Sequence, residues 1–188
     1  MFERFTKDAR TVVQAAVQQA ERTGAATVDA EHLLLTLLDQ EASRASFALA
    51  ALGLTEERKE SVRRTLAEAR RRAGLSQAES EALAGLGIDV AQIVARVEEV
   101  HGVGAMSGDR KGKGWWSGRP SFGREARGVL ERSLRIALAH RDRHIGDEHL
   151  LLALTVRPGT SSETLADHDV TYESLTRVLY GGGEAKAG

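Results

Sequence analysis

Two short strings of residues occur twice in this chain at one fixed offset. Phe5-Thr6-Lys7-Asp8-Ala9-Arg10 returns as Phe122-Gly123-Arg124-Glu125-Ala126-Arg127, and Glu31-His32-Leu33-Leu34-Leu35 returns as Glu148-His149-Leu150-Leu151-Leu152. Both pairs are 117 positions apart (5 to 122, 31 to 148), so about thirty residues align ungapped with roughly one position in three identical. Self-similarity in register calls for two copies of one structural unit and, with it, two copies of one binding site.

The apolar spacing within each copy is helical. Phe5, Ala9, Val12, Val13, Ala16, Val17 and Ala20 make one stripe on a helix over about 3–22, which Gly24 closes. Asp29 stands ahead of a second helix that carries the apolar run from Leu33 to Leu38, where an acidic side chain suits the amide-rich end. A third helix is expected near 43–52 and a fourth from the cap Thr55 to about 72. In the second copy Phe122, Ala126, Val129, Leu130, Leu134 and Ala137 form the first stripe. Gly146-Asp147-Glu148 leads into Leu150–Leu154, Pro158-Gly159 breaks that helix, a short helix follows near 161–167, and Thr171 caps the last. Between the copies, residues 76–101 read as one or two helices with Ile88, Ile93, Val94 and Val97 on an apolar face. Residues 102–121, with Lys111, Lys113, Trp115, Trp116 and Arg119 among glycines, read as a mobile loop, and 181–188 as a disordered tail. The fold expected is all-α: a pseudo-twofold tandem repeat of two four-helix units with a helical insertion and flexible loop between them. Repeat 1 spans about 1–66, the insertion and loop about 67–121, and repeat 2 about 122–180. A single domain over 1–180 is expected, because each unit alone is small.

Composition removes several classes of function. With 26 basic and 27 acidic side chains the net charge is -1, which provides no global attraction to nucleic acid or to an anionic membrane. There is no cysteine, hence no disulfide framework or thiolate metal site. The charged start MFERFTKDAR has no apolar signal core, and a soluble cytoplasmic protein without membrane contact is the expectation. His140, His144 and His149 are too loosely spaced to suggest a metal centre, and no metal or other cofactor is expected.

MFERFT, the doubled Glu-His-Leu-Leu-Leu and the helix order around them resemble the amino-terminal domain of actinobacterial ClpC-type chaperones, a tandem Clp repeat. The resemblance covers residues 1 to about 66 and about 120–180, with 67–119 departing from it. Full-length Clp chaperones continue into ATPase modules that need a P-loop. The nearest stretch here, Gly108-Asp109-Arg110-Lys111-Gly112-Lys113-Gly114, has an acidic residue in the cradle and no Ser or Thr after Lys113. A stand-alone domain without its own motor is the expectation, and not an enzyme.

The resemblance implies two ligand surfaces. The acidic-His segment opening each second helix forms a (phospho)arginine-binding or peptide-binding site in the family, which here implicates Glu31, His32, Glu148 and His149. Where the family has threonine before the glutamate, this chain has Ala30 and Asp147. Ala30 removes a hydroxyl, and Asp147 puts negative charge where a phosphate would sit, favouring an unmodified arginine or basic peptide there. The second surface takes hydrophobic cyclic peptides and serves adaptor proteins; Phe2, Phe122, Arg127 and Glu131 match its positions. The implied function is a non-catalytic peptide- and protein-binding module of the Clp proteolysis system. Its partners would be Clp chaperone or protease subunits or their substrates, with the module acting as adaptor or as decoy. The alternative is a nucleic-acid-binding regulator that uses the basic, tryptophan-containing loop.

Overall fold

The computed structural model describes residues 3–72, 74–75, 77–102, 105–106 and 120–181. Phe2, the loop residues Lys111, Lys113, Trp115, Trp116 and Arg119, and the tail beyond Gly181 lie outside them. Ten helices are described: α1 (Lys7–Thr23), α2 (Ala30–Leu38), α3 (Arg44–Ala51), α4 (Glu56–Arg71), α5 (Gln77–Gly85), α6 (Val90–His101), α7 (Arg124–Ala139), α8 (Asp147–Val156), α9 (Thr160–Ala166) and α10 (Tyr172–Tyr180). The two strands are two residues each, β1 (Thr27–Val28) and β2 (Ser121–Phe122). The all-α expectation and its four-plus-four order hold.

Local chemistry accounts for the boundaries. Thr6, Thr55 and Thr171 each accept the backbone N–H three residues on, at 3.2, 3.4 and 3.2 Å, and so start α1, α4 and α10. Gly24 ends α1 in the left-handed region at φ 72°. The same turn in the second copy falls on Arg141, at φ 59°. A left-handed conformation costs an L-residue roughly 1–2 kcal/mol. Set against the extra backbone entropy of glycine, Arg141→Gly is expected to raise stability by about 0.5–1 kcal/mol, measurable as a Tm rise of roughly 2 °C.

The repeats interlock at their starts. Val28 of the first copy pairs in parallel with Phe122 of the second, while Phe5 bridges in the same sense to Ile145. These are the same contact made twice, since 117 added to 5 and 28 gives 122 and 145. The hydrogen bonds match as well: Gly123 N donates to Val28 O and Thr6 N to Ile145 O, both at 2.9 Å. Farther along, α3 packs on α8 and α10, and α4 packs on α9, so each repeat covers the other's second half. Leu33, Leu34, Leu37, Leu150, Leu151 and Leu152, all at 0% exposure, lie in one core cluster with Phe5, Val28 and Ile145.

Two side-chain assignments need correction. Leu134 is 37% exposed, and its place on the inward stripe of α7 is taken by Ser133, fully buried with its hydroxyl donating to Leu130 O at 2.7 Å. The stripe therefore runs Ala126, Val129, Ser133, Ile136 and Ala137, and a polar residue that bonds to its own helix can fill an inward position. On the insertion, α6 buries Val90 and Val94, whereas Ile88 and Ile93 are 41% and 45% exposed.

Candidate functional site

The pseudo-twofold places two related clefts where α2 and α8 begin. In each copy the histidine folds back on the turn before its helix: His32 Nδ1 accepts Asp29 N–H at 3.1 Å, and His149 Nδ1 accepts Gly146 N–H at 2.9 Å. Both rings are 1% exposed, so each histidine first serves to close its own helix start.

The first cleft is open, with a volume of about 560 Å³. Glu31 stands in its wall, one-fifth exposed, and its Oε2 accepts Arg70 Nε of α4 at 3.2 Å. Arg70 Nη2 also lies 3.3 Å from His32 Nε2. Ala30 is 6% exposed, and Asp29 accepts the Thr27 hydroxyl at 3.2–3.3 Å. Glu125 of α7 and Thr160 and Ser161 of α9 complete the opposite side.

The second cleft is smaller, at about 230 Å³. Asp147 differs here from the ligand-facing role read from the sequence. It is 1% exposed, and its Oδ2 accepts Ala45 N–H at 3.0 Å, satisfying the start of α3 from the other repeat. Glu148 is also buried, its Oε1 2.8 Å from Arg44 Nη1, the first residue of α3. Ser161 of α9 stands 117 residues after Arg44, and Ala30 holds the place of Asp147. Neither can make the corresponding bond, and at that seam the 560 Å³ cleft lies open. Burial pushes Glu148 up to about 7; its own backbone N–H and the Arg44 guanidinium pull it back, and Asp147 beside it adds to the rise.

Behind Glu148 sits a network that no local pattern announces. His149 Nε2 donates to Asp142 Oδ2 at 3.0 Å, and the Tyr180 hydroxyl donates to the same oxygen at 3.1 Å. The Tyr180 ring stacks on His140 with centroids 3.9 Å apart and lies 5.7 Å beneath the Arg44 guanidinium carbon. Burial drives the Tyr180 hydroxyl well above its ordinary range, with Asp142 reinforcing it, the reverse of what a nucleophile or proton donor needs. Burial also lowers His149, keeping its imidazole neutral.

Asp142, Glu148 and His149 do bring three donor atoms within 4.8 Å of one another. Coordination through His149 Nε2 would move the ring hydrogen to Nδ1, which already accepts Gly146 N–H. The trio is better described as hydrogen-bonded packing than as a metal centre.

The second implied surface is on the outside of α7. Arg127 and Glu131 are exposed, Glu131 with Arg135 Nη2 3.9 Å away, and Phe122 is half-buried against the core. Leu134 and Leu138, 37% and 57% exposed, continue the row. Spacings of four, three and four residues put Arg127, Glu131, Leu134 and Leu138 on one helical face.

A family model matches residues 4–101: the Clp repeat (R) N-terminal domain. The chain belongs to this family. The match runs through α5 and α6, beyond residue 66 where the resemblance of the first copy ends. Clp N-terminal domains also appear among solved structures of similar fold. That of the caseinolytic protease associated chaperone ClpD from Arabidopsis thaliana superposes with a TM-score of 0.52 at 18% identity, covering 97% of this chain and 96% of that one. A chain from structural work on a malarial protein secretion system gives 0.52 at 12% identity, with 97% of each covered. At these identities the likeness is one of fold, and it extends the Clp-repeat architecture over the second copy. No helix among the described residues is long and apolar enough to cross a membrane.

Proposed function

We propose that this Clp-repeat domain is a non-catalytic module of the Clp proteolysis system that binds apolar peptide segments and partner proteins on the outer face of α7. The supporting observation is the exposed pair Leu134 and Leu138, continuing the row begun by Arg127 and Glu131. Two leucines left partly exposed on a helix whose inward stripe is already filled favour a partner surface, flanked by one charge of each sign to fix its register. Phe122 lies at the start of the same helix. Glu31, in the first cleft, is the second candidate contact, suited to a basic side chain, and Glu148 is the matching carboxylate of the second cleft; His32, Asp147 and His149 support the fold around them.

Such a module works by mass action, either carrying a substrate to a Clp chaperone as an adaptor or withholding ligands from it as a decoy. A direct complex with a purified Clp chaperone is the adaptor outcome. Binding of the chaperone's own peptide ligands without such a complex is the decoy outcome. In either case Leu134→Ala/Leu138→Ala is expected to weaken binding at least about tenfold while lowering the thermal melt only modestly, because Leu138 is more than half exposed and Leu134 more than a third. Undiminished binding by the double variant would remove α7 as the contact surface.

A further inference from the structure

Both duplicated glutamates meet an arginine of this same chain, and the two arginines come from non-equivalent helices. Glu31 meets Arg70 of α4, whereas Glu148 meets Arg44 of α3, 104 residues away in sequence. Duplication cannot account for this, since the residue 117 positions after Arg44 is Ser161. The second case has the geometry of a bound ligand. Glu148 is 4% exposed and Arg44 is 52% exposed, so the arginine approaches the buried carboxylate from the surface side. Its guanidinium is held between the carboxylate at 2.8 Å and the face of Tyr180 at 5.7 Å. A carboxylate paired with an aromatic face is the arrangement that suits a planar cation.

We propose that Arg44 is a built-in guanidinium ligand: it fills the seat at Glu148 that an arginine side chain from another molecule would need, and an external guanidinium enters only by displacing it. This rests on reading Glu148 as a guanidinium receptor and is independent of the α7 surface. The cleft of about 230 Å³ beside the pair, bordered by Asp8 and Arg143, is the route by which a displacing group would arrive. Because Arg44 is tethered, its effective concentration far exceeds that of a dilute competitor. The second pocket of the intact protein is therefore closed to weak ligands, and the first is the more accessible of the pair.

The test uses methylguanidinium as probe, with methylammonium at equal ionic strength as control, against wild type, Arg44→Ala and Arg44→Ala/Glu148→Gln. Binding is followed by NMR shifts of the α8 amides and by the thermal melt. At pH 8.5, chosen so that Glu148 is ionised, Arg44→Ala is expected to bind methylguanidinium at least about tenfold more tightly than wild type, and the double variant to lose that gain. If Arg44→Ala does not fold unaided, recovery of refolding by methylguanidinium but not by methylammonium is the expected result. Equal binding by wild type and Arg44→Ala overturns the proposal. So does equal rescue by the two cations, a gain that survives in the double variant, or no selective recovery of an unfolded Arg44→Ala. Leu134→Ala/Leu138→Ala is expected to leave all these responses unchanged, which separates this outcome from that of the α7 reading.

Discussion

Phe5→Ala is expected to cost about 3–5 kcal/mol of stability, and Phe122→Ala, the same change in the other copy, only about 1–2 kcal/mol. The two phenylalanines occupy equivalent places, each pairing with the segment that leads into the other repeat's second helix. Their burial differs. Phe5 is 6% exposed within the core cluster, whereas Phe122 is half-buried at its margin. Truncating Phe5 leaves a cavity against Ile145 in a leucine-lined interior that cannot readily collapse. Truncating Phe122 mainly removes partly wetted surface. Urea titrations of the two variants at constant m-value measure the difference. Equal losses would mean that the symmetry of the backbone pairing, and not side-chain burial, sets the energetics.

The second large effect is a pH dependence carried by Glu148. Its carboxyl is raised from 4.5 to about 7 in the folded protein, so the folded state binds this proton more tightly than the unfolded chain does. A raised pKa contributes stability that is fully present below the unfolded value and is lost as pH climbs through the folded value. Between about pH 4.5 and 7 this group alone is expected to remove on the order of 3 kcal/mol. His149 works in the opposite sense: its folded pKa is lowered, so its contribution rises with pH toward 6.5. Comparison with Glu148→Gln separates the two, because the glutamine keeps an oxygen for Arg44 and does not titrate. Melts at pH 4.5, 6 and 8 are expected to show wild type losing ground to the variant as pH rises. A gap that stays constant across that range would show that Glu148 titrates normally.

Most of the architecture could be read from the chain because it was written in local terms. Caps such as Thr55 and Thr171, the left-handed stop at Gly24 and the doubled Glu-His-Leu-Leu-Leu are decided within a turn or two, and their helices begin and end within about four residues of expectation. Leu134 was misplaced because apolar periodicity cannot see that Ser133 satisfies its hydroxyl on its own helix. The pockets were only half legible. Glu31 and Glu148 carry a motif, but the groups that define their surroundings come from far away in sequence: Arg70 at 39 residues, Arg44 at 104 and, for His149, Tyr180 at 31. Asp147 shows the same gap from another side. Its charge was plain, but that it ends on the amide of Ala45, 102 residues earlier, depends on how the repeats cross.

The reciprocal pairing of the repeats also bears on how the chain is made. Ile145 follows Phe5 by 140 residues, so at roughly 5–20 residues per second a ribosome needs about 7–28 s to deliver the partner of a side chain it has already released. Over that interval the first repeat can coil its helices but cannot finish its interior. Phe5 and the Val28 edge both wait on sequence not yet translated, and among the first parts synthesised are some of the last to be seated.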